Sequence, residues 1–218
     1  MISAHLKKNP RSEPLLQAVR DRIIGGEYPP GMMLSEKELC EEFSVSRTPF
    51  REAMRKLEEL KLVNVLPRLG SYVAEVNYHE VKCAYEIRHQ LEIFAARLAT
   101  ERCNRSHIER IDQLIRDAGS LNQQSDDALK LELDKGFHEI IRDAANNAIL
   151  AETLTRLELI CTRVWFSLMR EAYSSREIVE NLEHFKAAML ERDADALADL
   201  MASHMEKTYR LLKRQLSW

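Results

Sequence analysis

The chain has 218 residues, of which 45% are hydrophobic and 31% charged, and its formal net charge is −3. This length accommodates a small domain and a second domain of ordinary size, each with an apolar core. The slight negative charge argues against a protein that attracts polyanions through overall basicity, so any contact with nucleic acid must depend on a few well-placed basic residues.

Cysteine usage and hydropathy bear on where the protein works. Cys40, Cys83, Cys103 and Cys161 are scattered without a C-x-x-C pair, as expected for small buried hydrophobes in a reducing compartment. The first residues do not resemble a signal peptide, and the sequence has no apolar run long enough to cross a membrane. We therefore expect a cytoplasmic protein that does not contact membranes.

The first predicted elements are an opening helix and a sharp turn. An apolar stripe at helical spacing indicates the helix, and it consists of Leu15, Leu16, Val19 and Ile23. Gly25-Gly26 ends this helix. The turn at 28–31, Tyr-Pro-Pro-Gly, leads into Leu34.

Residues 35–60 predict two short helices joined by a tight turn. Ser35 and Glu38 form a capping box for the first of them, and Leu39 and Phe43 form its buried side. Ser46 is expected to cap the second helix. Pro49 lies in the first turn of the second helix, where a missing N–H costs little.

The second helix has two distinct faces. The residues expected to point inward are Ala53, Met54, Leu57 and Leu60. Arg47, Arg51 and Arg55 recur every four residues and share the outer face. A solvated amphipathic helix would show the same stripe, but residues 62–67 and 71–76 then alternate like two strands around the turn Arg68-Leu69-Gly70. This order predicts a winged helix-turn-helix that binds DNA.

Residues 25–73, GGEYPPGMMLSEKELCEEFSVSRTPFREAMRKLEELKLVNVLPRLGSYV, resemble the DNA-binding domain of the GntR family of bacterial transcription regulators. The matching motifs are G-x-x-x-P-G, L-S-E-x-x-L, S-R-T-P-x-R-E-A-x-x-x-L and a glycine-containing wing. The resemblance implies that one of two recognition-helix arginines reads guanine. The candidate DNA contacts are Lys37, Ser46, Arg47, Thr48, Arg51, Arg68 and Gly70.

From residue 78 onward the sequence predicts helices only. The expected spans are 78–102, 106–123, 126–145, 147–172, 175–191 and 194–215, with starts marked by Ser106 with Glu109, by Ser125, and by Ser174 with Glu177. On the first of these helices the expected inward face is Ile87, Leu91, Phe94 and Leu98. The predicted fold is mainly α, with a winged helix-turn-helix at 1–77 and an antiparallel helical bundle at 78–218.

The bundle is similar to the FCD domain of the FadR-type branch of the GntR family. The matching pieces, in order, are Arg88-x-x-Leu91-Glu92, Asp134-x-x-Phe137-His138, Asn147 and Arg192-Asp193…Ala198…Met201-x-x-His204. The resemblance implies a homodimer whose helical domain binds a small molecule and thereby alters the affinity for DNA.

Three residues of the bundle are candidate metal ligands. Asp134 and His138 are four apart on one helix and can point at one ion, and borderline metals accept carboxylate and imidazole together. The resemblance to metal-binding members, which use an aspartate and three histidines, adds His204. The expected cofactor is a divalent metal, zinc foremost, with nickel or manganese as alternatives.

The fourth ligand of such a site is an open question in the sequence. Counting back from His204, the remaining family histidine would fall at Leu182, whereas His184 lies about 200° further round the helix. Either a local shift brings His184 in, or three protein ligands leave a position for water or effector, or the site holds no metal.

Arg88 is the candidate effector-binding residue. Its guanidinium could meet an anionic effector in a bidentate manner. Alternatively, it forms a structural ion pair with Glu92, four residues on.

The combined prediction is a regulator and not an enzyme. We expect a dimeric repressor of a catabolic or transport operon that binds a palindromic double-stranded DNA operator and senses a small anionic metabolite, a carboxylate, through the metal. One alternative is a metal-free regulator of a more apolar acyl ligand. Another is a metal-dependent hydrolase, which the closely fused DNA-reading module and the lack of an evident general base beside the metal residues disfavour.

Overall fold

The computed structural model describes residues 12–121, 127–172 and 174–216. The chain divides into two compact units, with the division between Val76 and Asn77. As predicted, the first unit is a winged helix-turn-helix with a small sheet, and the second is built from helices. Within the described residues, no helix has both the length and the apolarity needed to cross a bilayer.

The first unit contains three helices and a three-stranded antiparallel sheet. Its elements are α1 Glu13–Ile24, β1 Met33–Leu34, α2 Glu36–Glu42, α3 Arg47–Glu59, β2 Val63–Leu66 and β3 Gly70–Val73. The sheet order is β1-β3-β2. The short strand β1 was not predicted, because two residues show no alternation; it forms by pairing Met33 with Tyr72 and Leu34 with Ser71.

The core of this unit lies between α1 and α3, and most of the predicted inward residues occupy it. Leu15, Val19, Ala53 and Leu57 are completely buried. Leu60 is a correction: it is 38% exposed, because it is the C-cap of α3 and the chain leaves the helix there.

The predicted helix caps differ in outcome. The Ser35 hydroxyl accepts a hydrogen bond from the Glu38 N–H at 3.3 Å, as expected of the α2 cap. Ser46 occupies the N-cap position of α3 with an extended backbone, but its side chain makes no capping hydrogen bond. The predicted N-cap position is therefore correct, but the predicted capping hydrogen bond from the Ser46 side chain is wrong, and Ser46 is exposed.

The second unit contains six helices among the described residues. They are α4 Tyr78–Arg102, α5 Arg105–Gly119, α6 Asp127–Ala144, α7 Ala148–Ala172, α8 Ser175–Glu191 and α9 Ala194–Leu216. Helix α4 is central and packs against α6, α7 and α9, while α5 packs against α8.

The starts of two helices test the predicted capping boxes. Ser174 and Glu177 form the expected box at α8. At α5 the box is instead Asn104 with His107, and Glu109 pairs with Arg105 at 2.7 Å. The Ser106/Glu109 box is therefore wrong, because an asparagine two residues earlier accepts the backbone donors first. Ser125 lies outside the described residues.

The buried face of α4 also differs from the prediction. Ile87 and Phe94 are 54% and 47% exposed, whereas Arg88 and Glu92 are buried beside a row of alanines. The sequence pattern misled because charged residues are placed inward only when partners on other helices compensate them. The alanines on the same face allow neighbouring helices to approach closely.

Candidate DNA-contacting surface and buried metal site

The outer face of α3 is basic and open to solvent. The side chains of Arg47 and Arg51 are 81% and 72% exposed, and Thr48 and Arg55 are exposed as well. The opposite face is held against the core by Phe50 and Met54. A helix anchored on one side and basic on the other is suited to the major groove.

A carboxylate on α2 positions the two arginines at the start of α3. Glu36 Oε1 lies 3.1 Å from Arg47 Nε, and Glu36 Oε2 lies 4.0 Å from Arg51 Nε. Lys37, the next residue on α2, is exposed. The sequence analysis did not identify Glu36, because only the packing of α2 on α3 places its carboxylate between the two arginines.

The wing presents the remaining DNA-binding candidates. Strands β2 and β3 pair from Val63–Val73 to Leu66–Gly70. Arg68 in the connecting turn has φ 67°, and Gly70, the first residue of β3, has φ 115°. A Cβ added at Gly70 would meet nothing within 4 Å, so its positive φ, not crowding, is what favours glycine there. Arg68 and Gly70 are both exposed.

The three candidate metal ligands lie together inside the second unit. One ligand atom from each of Asp134, His138 and His204 lies within 4.8 Å of the others. His204 Nε2 is 3.1 Å from Asp134 Oδ1, and His138 Nε2 is 3.9 Å from Asp134 Oδ2. Three ligands bonded at about 2 Å to one ion lie about 3.3–3.5 Å from one another, so an ion would draw the most distant of these atoms together by about 1–2 Å.

A second carboxylate orients His138 within this cluster. Glu92 Oε2 lies 3.2 Å from His138 Nδ1, and both side chains are fully buried. A carboxylate in this position would favour the tautomer with the proton on Nδ1, which would leave the Nε2 lone pair available to a metal ion. The donor set of two imidazoles, one carboxylate and one supporting carboxylate fits a divalent transition metal.

Arg88 lies behind this cluster in a network of buried charges. Its Nε is 3.2 Å from Glu92 Oε1 and its Nη2 is 3.8 Å from Glu158 Oε1. Arg142 Nη2 contacts Glu158 Oε2 at 2.8 Å. Of the two interpretations of Arg88, the ion pair with Glu92 is therefore present. The contacts of Glu158 with Arg88 and Arg142 link α7 to α4 and α6.

The electrostatics of the network keep its acids ionised. Burial acts to raise the pKa of Glu92, but His138, Arg88 and Arg142 lower it to about 2. Burial acts in the same way on Asp134, and the neighbouring His204 and His138 lower its pKa to about 2. Burial raises the pKa of the Cys161 thiol to about 11, which keeps it protonated.

The charge of the cluster is nearly balanced. Three carboxylates, from Asp134, Glu92 and Glu158, face two guanidinium groups, from Arg88 and Arg142. With neutral imidazoles the group carries an excess of one negative charge, which a divalent cation would convert into an excess of one positive charge. The loaded site would then attract a monoanion.

His184 does not belong to this cluster. Its side chain is exposed on α8, while Leu182 is buried at 4% exposure and faces Asp134 and His204 across a pocket. The helix phasing derived from the sequence therefore holds for both residues. Within the described residues, the group of candidate ligands has three members.

A pocket opens beside Asp134 and His204. It encloses about 400 Å³, including the space at its mouth, and its remaining lining residues are Lys130, Leu133, Phe137, Ile178, Asn181, Leu182 and Phe185. Arg88 is not among them. The sequence analysis missed Lys130 and Asn181, although Lys130 lies one helical turn before Asp134 on α6 and could have been found from that spacing.

Comparisons with known proteins agree with both units. The family model of bacterial regulatory proteins of the gntR family matches residues 11–73, and the FCD domain model matches residues 83–207. The HTH-type transcriptional repressor RspR of Escherichia coli (strain K12) is 28% identical over 200 residues, which cover 91% of this chain and 87% of that protein. The gluconate operon transcriptional repressor of Bacillus licheniformis is 29% identical over 191 residues, covering 82% of this chain and 75% of that protein.

Solved structures share the fold. The structure of McbR/YncC from E. coli superposes with a TM-score of 0.79 at 23% identity, over 99% of this chain and 100% of that one. The FCD model alone matches more than half of the chain. The chain therefore belongs to the GntR family of bacterial transcription regulators, in the branch that carries an FCD domain, and it is a regulator and not an enzyme.

Proposed function

We propose that this regulator is a dimeric repressor of a catabolic or transport operon, controlled by a small carboxylate that binds at a divalent metal. Asp134, His138 and His204 would hold the ion, and three protein ligands leave a coordination position for an oxygen of the effector. The observation that carries this proposal is the location of the cluster: Asp134 and His204 also line a pocket whose remaining wall is largely apolar.

The DNA-binding part of the proposal assigns different roles to the basic residues. Arg47 and Arg51, with Thr48 and the α3 start at Ser46, would contact base edges and phosphates in the major groove. Lys37 and Arg68 would contact the backbone on either side, and Gly70 would let the wing approach the minor groove.

Substitution of the basic residues tests these roles. Arg51→Ala should remove the preference for operator over unrelated duplex, since a bidentate guanine contact contributes about 1–3 kcal/mol of discrimination. Lys37→Ala should weaken all sequences alike and reduce the salt slope by about 1. Unchanged operator affinity in both Arg47→Ala and Arg51→Ala would refute the assignment.

Dimerisation is supported by the apolar stripe on α4. Ile87, Leu91, Phe94 and Leu98 are spaced four, three and four residues apart, the spacing of a helix–helix seam. Ile87 and Phe94 are about half exposed, and a second copy of the chain would cover them. The two winged helix-turn-helix domains of a dimer would bind the two halves of a palindrome, and together they would make more DNA contacts than one domain can.

The metal is tested by elemental analysis and ligand titration of three proteins. Wild type and His184→Ala, the matched control with an exposed histidine, should retain zinc, nickel or manganese. His138→Ala should lose the metal and the effector response but keep basal DNA binding. Wild-type protein that takes up none of these metals would overturn the metal site, and metal loss in His184→Ala would make His184 a ligand.

A metal-free sensor of a more apolar acyl ligand is the second candidate. The specific observation in its favour is the apolar wall of the pocket, to which Leu133, Phe137, Ile178, Leu182 and Phe185 contribute. Effector binding that persists in metal-free protein would favour this candidate over the first.

A further inference from the structure

The pocket beside Asp134 and His204 has two kinds of wall. Leu133, Phe137, Leu182 and Phe185 are each at most 4% exposed and form an apolar surface. The rings of Phe137 and Phe185 lie 4.2 Å apart between centroids, and each meets the His204 ring edge-on at just over 6 Å. The aromatic walls therefore stand immediately beside the candidate metal ligand.

Polar groups are few in the rest of the pocket. Apart from Asp134 and His204, its polar lining side chains are Lys130 and Asn181. Lys130 precedes Asp134 by four residues on α6 and so lies about 6 Å further along the helix axis, on the same side. Lys130 is thus a basic residue of the pocket lining on the same helix as Asp134.

A second basic residue near the metal ligands, Arg88, does not line the pocket. It is 1% exposed and is engaged by Glu92 and Glu158. Of these two cations, Lys130 is therefore the one that a ligand in the pocket can contact.

We propose that the effector is a carboxylate with a compact apolar body, such as an aromatic or branched aliphatic group, and that Lys130, Leu182 and Phe185 determine this specificity. This inference rests on the proposed function and names the class of ligand for the same pocket. The carboxylate end binds at the metal or at Lys130, and the apolar body packs against Phe137, Leu182 and Phe185.

A polyhydroxylated acid of the same size is disfavoured by the same walls. Each of its hydroxyl groups would lose water, and Lys130 and Asn181 can satisfy only a few of them. The pocket should therefore bind the polyhydroxylated acid weakly, because its hydroxyl groups would be buried without hydrogen-bond partners. An apolar body, in contrast, gains binding free energy when it leaves water.

The experiment compares 3-phenyllactate with D-gluconate, two 2-hydroxy acids of nearly equal size and the same charge. Both present the same metal-chelating head, so a difference in affinity reports on the body of the ligand. Titration calorimetry with the full chain, loaded with zinc and also metal-free, should give at least roughly tenfold tighter binding of 3-phenyllactate. Equal affinities, tighter binding of D-gluconate, or binding of neither acid would overturn the proposal.

Matched variants locate the effect in the pocket. Ile178→Asn, at the half-buried rim, should reduce the preference for 3-phenyllactate, whereas Leu190→Asn, on the exposed side of the same helix, should not. Lys130→Met should weaken both acids, and Lys135→Met, also on α6, should weaken neither. An unchanged preference in Ile178→Asn would place the ligand elsewhere.

The outcomes also separate this inference from the proposed metal site. Zinc uptake together with a preference for D-gluconate would leave the metal site standing and overturn the ligand class. Failure to take up metal, with a retained preference for 3-phenyllactate, would do the reverse.

Discussion

At the residue scale, Glu36 shows how an acid can serve a DNA-binding surface. It contacts Arg47 at 3.1 Å and Arg51 at 4.0 Å. Such exposed ion pairs contribute little to stability, so the effect of Glu36 should be on recognition. We expect its carboxylate to favour one orientation of the two guanidinium groups and to repel the phosphates of any duplex, so that binding depends more on base contacts.

The first prediction is that Glu36→Gln lowers specificity. Loss of the negative charge should strengthen binding to unrelated duplex several-fold, since the nearby phosphates no longer face a carboxylate, while operator binding gains less. Fluorescence anisotropy with operator and unrelated duplexes should show a reduced affinity ratio. Glu41→Gln, an exposed residue on the same helix with the same charge change, is the control. Equal gains on both duplexes would show that Glu36 acts only through net charge.

The second prediction concerns Glu92 and the orientation of His138. Glu92→Gln should reduce zinc affinity by about 10–100-fold, as expected for the loss of a carboxylate behind a ligating histidine. It should also lower the melting temperature, because Arg88 and Arg142 lose a buried partner. Competition with a chromophoric chelator measures the affinity, and Glu101→Gln, exposed on the same helix, is the control. Unchanged zinc affinity would contradict the role assigned to Glu92.

At the scale of elements, the sequence predicted some faces and missed others for a physical reason. The inner and outer faces of α3 were predicted almost completely, because apolar and basic residues separate cleanly around the helix. The face of α4 was predicted wrongly, since its buried side carries Arg88 and Glu92. Their partners Arg142 and Glu158 come from α6 and α7, and one sequence contains no signal for contacts between helices.

Some residues of the candidate site could likewise be predicted from the sequence, and others could not. Asp134 and His138 were predictable from their spacing on one helix, and His204 only from the family resemblance. Lys130, Leu182 and Phe185 form a pocket only because α6, α8 and α9 converge. Helix starts were predicted correctly where Ser35 and Ser174 cap through local hydrogen bonds. Helix α5 differs, because Asn104 caps it and it ends at Gly119, four residues before the predicted end.

The third prediction belongs to α4 as an element. Replacing Ile87 and Phe94 together by Glu should yield a monomer, because burying two carboxylates in the proposed apolar dimer contact would cost more free energy than the contact provides. Light scattering at micromolar concentration measures the change, and operator affinity should fall since only one winged helix would bind at a time. Leu190→Glu, with 59% exposure on α8, is the control. A dimer that persists in the double variant would place the dimer contact on another surface.

At the scale of the whole molecule, the proposed effector site and the DNA-reading surface lie in different units. The linking chain runs from β3 into α4, which begins at Tyr78 and contains Arg88 and Glu92. Glu92 contacts His138, so a ligand at the proposed metal would act on a helix that directly follows the DNA-binding unit in the sequence. An effector can alter operator affinity only if it binds two arrangements of the dimer with different affinities.

The fourth prediction follows from this linkage. If 3-phenyllactate weakens operator binding by some factor, saturating operator must weaken 3-phenyllactate binding by the same factor, typically about 5–150-fold. Both factors can be measured, by anisotropy on labelled operator with and without the acid and by calorimetry with and without operator. In His138→Ala both should fall to 1, whereas His184→Ala should retain the wild-type values because its histidine is exposed outside the pocket. If 3-phenyllactate binds tightly yet leaves operator affinity unchanged, the pocket does not regulate DNA binding. A ligand with equal affinity for both arrangements of the dimer does not change their populations.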